Sequence, residues 1–177
     1  MNGFALAALV SSLLGAGSSF ALTSYGGQGH DLKAPDALKG LSFMIGDWKG
    51  KQNFNAPGQT LVGDATNHVH MAIGGHYLEE TLSTVIGQRP PTDTHHYITF
   101  DPATAQYKAW WFNDTSVGPM ELDGTAAGSK LVLESPATSA RIFRATYDSP
   151  SPDQLKFRLE LKNGNDWQLL FETDYTK

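Results

Sequence analysis

The segment from Leu61 to Val85 constrains the fold more than any other stretch of the chain. Two runs of alternating apolar and polar residues, 61–73 and 76–85, flank Gly74-Gly75, a dipeptide that supplies the positive φ angles of a two-residue hairpin turn. Such a turn fixes the register: Ile73 faces His76, Met71 faces Leu78, Val69 faces Glu80 and Asn67 faces Leu82. One face then collects Leu61, Val69, Met71, Ile73, Leu78 and Leu82, and the other collects Asp64, Thr66, His68, His70, Glu79 and Thr81. The first is the core face. A slip by one residue would turn the whole apolar set outward, so the pairing is strongly specified.

The same period of two recurs along the chain. From Gly46-Asp47-Trp48 onward, Trp48, Gly50, Gln52 and Phe54 alternate with Asp47, Lys49, Lys51 and Asn53, the pattern of a strand with one wet face. Further strand signals lie at 94–100 with 107–113, at 120–123 with 130–134 around Gly124 to Gly128, and at 140–147. In the last pair, Leu155, Phe157, Leu159 and Leu161 alternate with charged residues, followed by Trp167, Leu169, Phe171 and Tyr175. Keeping Leu161 and Trp167 on one face predicts an odd turn, Asn163-Gly164-Asn165. About ten strands in meandering order, with no long helix, predict an all-β, antiparallel up-and-down barrel, because closure removes the exposed edges of such a sheet. A sandwich is the alternative. Residues 35–39 allow a short helical turn, with Leu38, Leu41, Phe43 and Met44 available to cover one open end.

Composition narrows the class. The 177 residues suit one domain with a sizeable core. Eighteen acidic residues against thirteen basic give a formal charge of -5, with no basic run interleaved with aromatics, so nucleic acid is not an expected partner. Phe4 to Ala16 carries no charge, and Ser19-Phe20-Ala21 places small residues where a signal peptidase cuts. Residues 1–21 therefore read as a signal peptide, 22–36 as a linker rich in Gly and Pro, and 37–177 as the barrel domain of an exported protein. The apolar run is shorter than the roughly 20 residues a membrane span needs, so no span is expected after cleavage. With no cysteine, an exported chain must hold itself together by its core alone.

Several groups could carry chemistry. His68-x-His70 with Glu79 opposite would put three metal-ligand types on one face, joined by His95 or His96. That face is the polar one, where solvated histidines are common, so no metal is assigned. His76 and Glu80 project toward the interior, where such a pair is either a general acid and base or a satisfied structural pair. Parity makes His96 the inward member of His95-His96, puts one of Trp110 and Trp111 inside, and sets Arg141 and Arg144 on opposite faces. No nucleophile elbow, phosphate loop or dinucleotide fingerprint occurs, so an enzyme reading rests on no motif.

Gly46-x-Trp48 after a short covering helix resembles the lipocalin and wider calycin pattern. A closer resemblance is to the bacterial family called domain of unknown function 1579. It is carried by Met44-Ile45-Gly46-Asp47-Trp48-Lys49-Gly50, by Ile73-Gly74-Gly75-His76-Tyr77-Leu78, by Tyr97 to Asp101 with Tyr107 and Trp111-Phe112-Asn113, and by Trp167 with Tyr175. The resemblance implies a calycin-like barrel closed at its base by Trp48 beneath a cation, for which Lys177 is the candidate. It implies no activity. The haem-binding nitrobindins share the barrel and a Gly-x-Trp-x-Gly segment, but their proximal histidine lies near the C-terminus, whereas the last histidine here is His96; no cofactor is expected. The resulting expectation is a barrel that binds a small apolar or amphipathic molecule in a cavity lined by Trp48, Met71, His76, Leu78, Glu80, His96 and Trp111. An isomerase or hydrolase using His76 with Glu80, and a structural barrel without ligand, are the alternatives.

Overall fold

A computed structural model describes residues 33–114 and 116–177. The signal-peptide assignment and most of the linker lie outside the described residues. Within them a 3-10 helix, Asp36–Met44, precedes ten strands: β1 (Gly46–Ala56), β2 (Gln59–Ala72), β3 (Tyr77–Val85), β4 (Thr92–Asp101), β5 (Gln106–Asn113), β6 (Met120–Ala127), β7 (Lys130–Glu134), β8 (Phe143–Ser151), β9 (Gln154–Asn163) and β10 (Asp166–Thr176). Each strand pairs antiparallel with the next, and β1 pairs with β10, so the sheet closes on itself. This is the all-β up-and-down barrel that the alternation implied. No helix among the described residues is long and apolar enough to cross a membrane.

The β2–β3 register is the one the hairpin dictated: Asn67 opposite Leu82, Val69 opposite Glu80, Met71 opposite Leu78. The turn is longer than two residues. Ala72 pairs with Tyr77, and Ile73, Gly74 and Gly75 turn with φ of 50°, 64° and 85°. Met71 and Ile73, placed on the core face by parity, are 37% and 65% exposed, because β2 runs past the last covered layer of the barrel before it turns.

The β9–β10 turn corrects the sequence reading. Asn163 pairs with Asp166, so Gly164-Asn165 alone make the turn, and Trp167 lies opposite Lys162 on the outer face. There its ring sits 4.1 Å from the Arg144 guanidinium, which also pairs with Glu160. An irregularity between Leu169 and Phe171 adds one residue and restores the parity, so Phe171, Thr173 and Tyr175 face inward after all. β6 also extends further than expected. Gly124 lies within it, opposite Leu133, at a position that only glycine fits, because a Cβ there would stand 1.9 Å from the Val132 carbonyl oxygen of the neighbouring strand.

One end of the barrel is filled. Leu38, Leu41 and Met44 of the 3-10 helix are buried, and the helix is tied down by Tyr107, whose hydroxyl donates to the Ala37 carbonyl at 2.8 Å. Trp48 donates through Nε1 to the Met44 carbonyl at 2.7 Å, and Lys177 Nζ lies 4.6 Å from its ring centroid, the cation the resemblance implied. Leu78, Ile98, Leu122 and Leu155 complete this solid half.

Candidate functional site

The interior changes character halfway along. Above the solid half lies a belt of polar side chains from strands that are not all neighbours: Asn67 on β2, Glu80 on β3, His96 on β4 and Tyr147 on β8. Strand alternation turns all four inward. Glu80 accepts from Asn67 Nδ2 at 2.5 Å through Oε1, and from His96 Nδ1 at 2.5 Å and the Tyr147 hydroxyl at 2.6 Å through Oε2. Glu80 and His96 are 2% and 1% exposed.

Burial works against ionisation of Glu80. The attraction of His96, which acts when its ring is charged, and the hydrogen bonds from His96, Tyr147 and Asn67 outweigh it and hold the carboxyl below its ordinary range. Burial, and then the charge on Glu80, push the Tyr147 phenol well above its ordinary range, so it stays neutral and donates. An ionised carboxylate only accepts, so the His96 proton facing it sits on Nδ1, and Nε2 is left as the other ring nitrogen. Nε2 is buried and has no partner in the protein. The ring is also fixed in plane, stacked on Trp111 with centroids 4.0 Å apart and planes 11° from parallel.

His96 and Trp111 form part of the wall of a cavity of about 270 Å³. It lies toward the end where β3 and β4 are joined, opposite the end covered by the 3-10 helix. Apolar side chains dominate its wall, among them Leu82, Ile86, Met120, Phe157 and Phe171, with Gln52, Thr84, Thr92, Thr94 and Asn113 as polar groups besides His96. Thr84 donates to Gln52 Oε1 at 2.7 Å. Larger hollows of about 380 and 500 Å³ lie against β7–β9 and β4–β6 and include neither His96 nor Glu80.

The residues named from sequence are distributed unevenly. His96 and Trp111 stand in the cavity wall, and Glu80 stands behind His96. Trp48 and Leu78 are packed in the solid half, and Met71 sits at the exposed strand end, so these three do not line the cavity. His76 lies in the β2–β3 turn, where its carbonyl accepts from Thr99 at 2.8 Å; the partner of Glu80 is His96, not His76. On the outer face, His68 bonds to Asp47, His70 and His95 lie 3.6 and 3.8 Å from Glu79, and Tyr97 donates to Glu79 at 2.8 Å. Among the described residues no three such side chains converge on a position that could hold a metal ion.

Sequence reasoning missed Asn67 and Tyr147 as partners of Glu80. Parity had already put Asn67 opposite Leu82, inside. Nothing local marks Tyr147, which reaches Glu80 across the barrel.

Solved structures share this architecture. The crystal structure of Rv2717c from M. tuberculosis aligns with a TM-score of 0.61 at 15% identity, covering 81% of this chain and 98% of that one. The S-type phycobiliprotein lyase CPES from Guillardia theta aligns with a TM-score of 0.54 at 10% identity, covering 79% of this chain and 90% of that one. At these identities the likeness is one of fold. Among curated proteins none matches the sequence. Residues 36–177 match the model of the family described as Protein of unknown function (DUF1579), and the chain belongs to that family.

Proposed function

We propose that this barrel binds a small amphipathic molecule in the cavity walled by His96 and Trp111. The observation that carries this reading is the asymmetry of the interior. One half is packed solid, and the other keeps a hollow of about 270 Å³ beside a buried histidine nitrogen with no partner. Protein interiors are close-packed, and buried polar atoms are ordinarily satisfied, so both features at one place point to something that arrives from outside. The volume lies just under the roughly 300 to 1,000 Å³ of drug-sized sites, about that of nine liquid waters, so the occupant is small. Its apolar body meets Leu82, Phe157 and Phe171, and its polar end meets His96. The similarity to a phycobiliprotein lyase is compatible with a ligand-holding barrel and supplies no residue. Export remains part of the proposal and rests on residues 1–21 alone.

Native mass spectrometry of the full chain with anilinonaphthalene sulfonate tests the reading. One dye per chain is expected, and Thr94→Trp, which fills the hollow, is expected to abolish it. Dye uptake that Thr94→Trp leaves unchanged contradicts the proposal.

A further inference from the structure

The Glu80–His96 pair is built with more care than a structural histidine needs. Three donors fix the carboxylate, the carboxylate fixes the proton on Nδ1, and stacking on Trp111 fixes the plane of the ring. What remains is a single nitrogen, Nε2, in a ring that can turn to no other partner. Leaving a buried polar atom unsatisfied costs about 1 to 3 kcal/mol, and a histidine whose role was packing would be expected to use both nitrogens. The arrangement has the components of a general base: a fixed tautomer, a carboxylate behind the ring to stabilise the imidazolium once it forms, and a place for the ring in the wall of a mostly apolar cavity.

We propose that His96 acts as a general base through Nε2, with Glu80 as its positioning residue, on a flat, largely apolar carbon acid bound in the cavity. This rests on the binding reading above and names its substrate class: compounds with a C–H made acidic by a neighbouring carbonyl or comparable electron-withdrawing group. The C–H proton moves to Nε2, and its electron pair enters the π system of the substrate. The proton then returns to another carbon of the substrate, giving an isomer, or passes to solvent if a leaving group departs. No oxidant or co-reactant is required. Covalent catalysis is a poorer fit, because the hydroxyls in the wall are threonines and none of them bonds to His96; Thr84 is committed to Gln52. The aromatic and aliphatic wall around the ring, Trp111, Phe157 and Leu82, suits direct transfer from carbon.

The titratable groups around the ring are Glu80 on β3 and Tyr147 on β8, with Tyr175 on β10 close enough for the Glu80 charge to act on it. Both phenols are raised, by burial first and by that charge second, so they stay neutral and neither competes as a base.

Nitrobenzisoxazole is a suitable probe. Removal of its ring C–H forms the nitrile, breaks the N–O bond and releases a coloured cyanonitrophenolate. The full chain is expected to turn it over with saturation. His96→Gln, which can still donate to Glu80, is expected to lower kcat by about 100-fold or more at nearly unchanged KM. Glu80→Gln is expected to lower kcat at nearly unchanged KM. Binding with no turnover, or a His96→Gln variant as fast as the parent, overturns the general-base role and leaves ligand binding standing. Failure of the parent to bind the probe, followed by quenching of tryptophan fluorescence, overturns both.

Discussion

At Glu80 the barrel holds a carboxylate out of water and compensates it with donors from three other strands. A hydrogen bond to a charged group contributes about 1.5 to 3 kcal/mol, so Tyr147→Phe is expected to destabilise the protein by about that amount in chemical denaturation. Acid should weaken the same belt. The folded value of Glu80 lies below its ordinary 4.5, so the folded state favours the carboxylate; that stabilisation is complete above pH 4.5 and is lost as pH falls through the lower folded value. The stability difference between the parent and Glu80→Gln, measured by denaturant titration, is therefore expected to be widest near neutrality and to narrow below pH 4.5. At this scale the sequence was informative about single side chains and silent about partners. Parity alone turns His96 and Trp111 inward. Pairing Glu80 with His96 requires the β3–β4 register, and the connection between them, Ile86 to Pro91, has no turn signature that sets it. Tyr147 comes from the opposite wall, beyond the reach of any local pattern.

Elements were legible where a turn pins them. Gly74-Gly75 fixed the β2–β3 pairing, and the observed register agrees with it even though Ile73 joins the turn. That residue carries a cost: a β-branched side chain at φ 50° is strained, and its side chain is 65% exposed, so little packing compensates. Ile73→Gly relieves about 1 to 2 kcal/mol of left-handed strain and gives back about 0.5 to 1 in chain entropy, so a net gain of roughly 1 kcal/mol or less is expected from equilibrium unfolding. Unchanged or lower stability would mean that the side chain contributes packing its exposure does not suggest. β10 went the other way. Leu169-Leu170-Phe171 is a continuous apolar run that can be read in either phase, so nothing in the alternation marked the bulge that puts Trp167 outside and Phe171 inside. Trp167 instead packs under Arg144 and beside Lys162, a surface role its size alone would not suggest.

Across the whole molecule the two ends have different jobs. The 3-10 helix, Trp48 and Lys177 close one end with packed side chains, and buried side chains such as Leu78, Ile98 and Leu122 fill the core below the polar belt. The other half keeps its hollow, with His96 at the boundary between the two. A closed sheet makes this division possible, since the strands are stabilised by their neighbours all the way round and the centre need not be filled everywhere. The claim that this boundary is a binding site is tested most directly by nitrogen NMR of the His96 ring during titration with anilinonaphthalene sulfonate. The Nε2 resonance is expected to move and saturate at one equivalent while Nδ1, held by Glu80, stays near its starting position. A titration that shifts outer-face histidines such as His68, His70 and His95 and leaves the His96 ring untouched contradicts it.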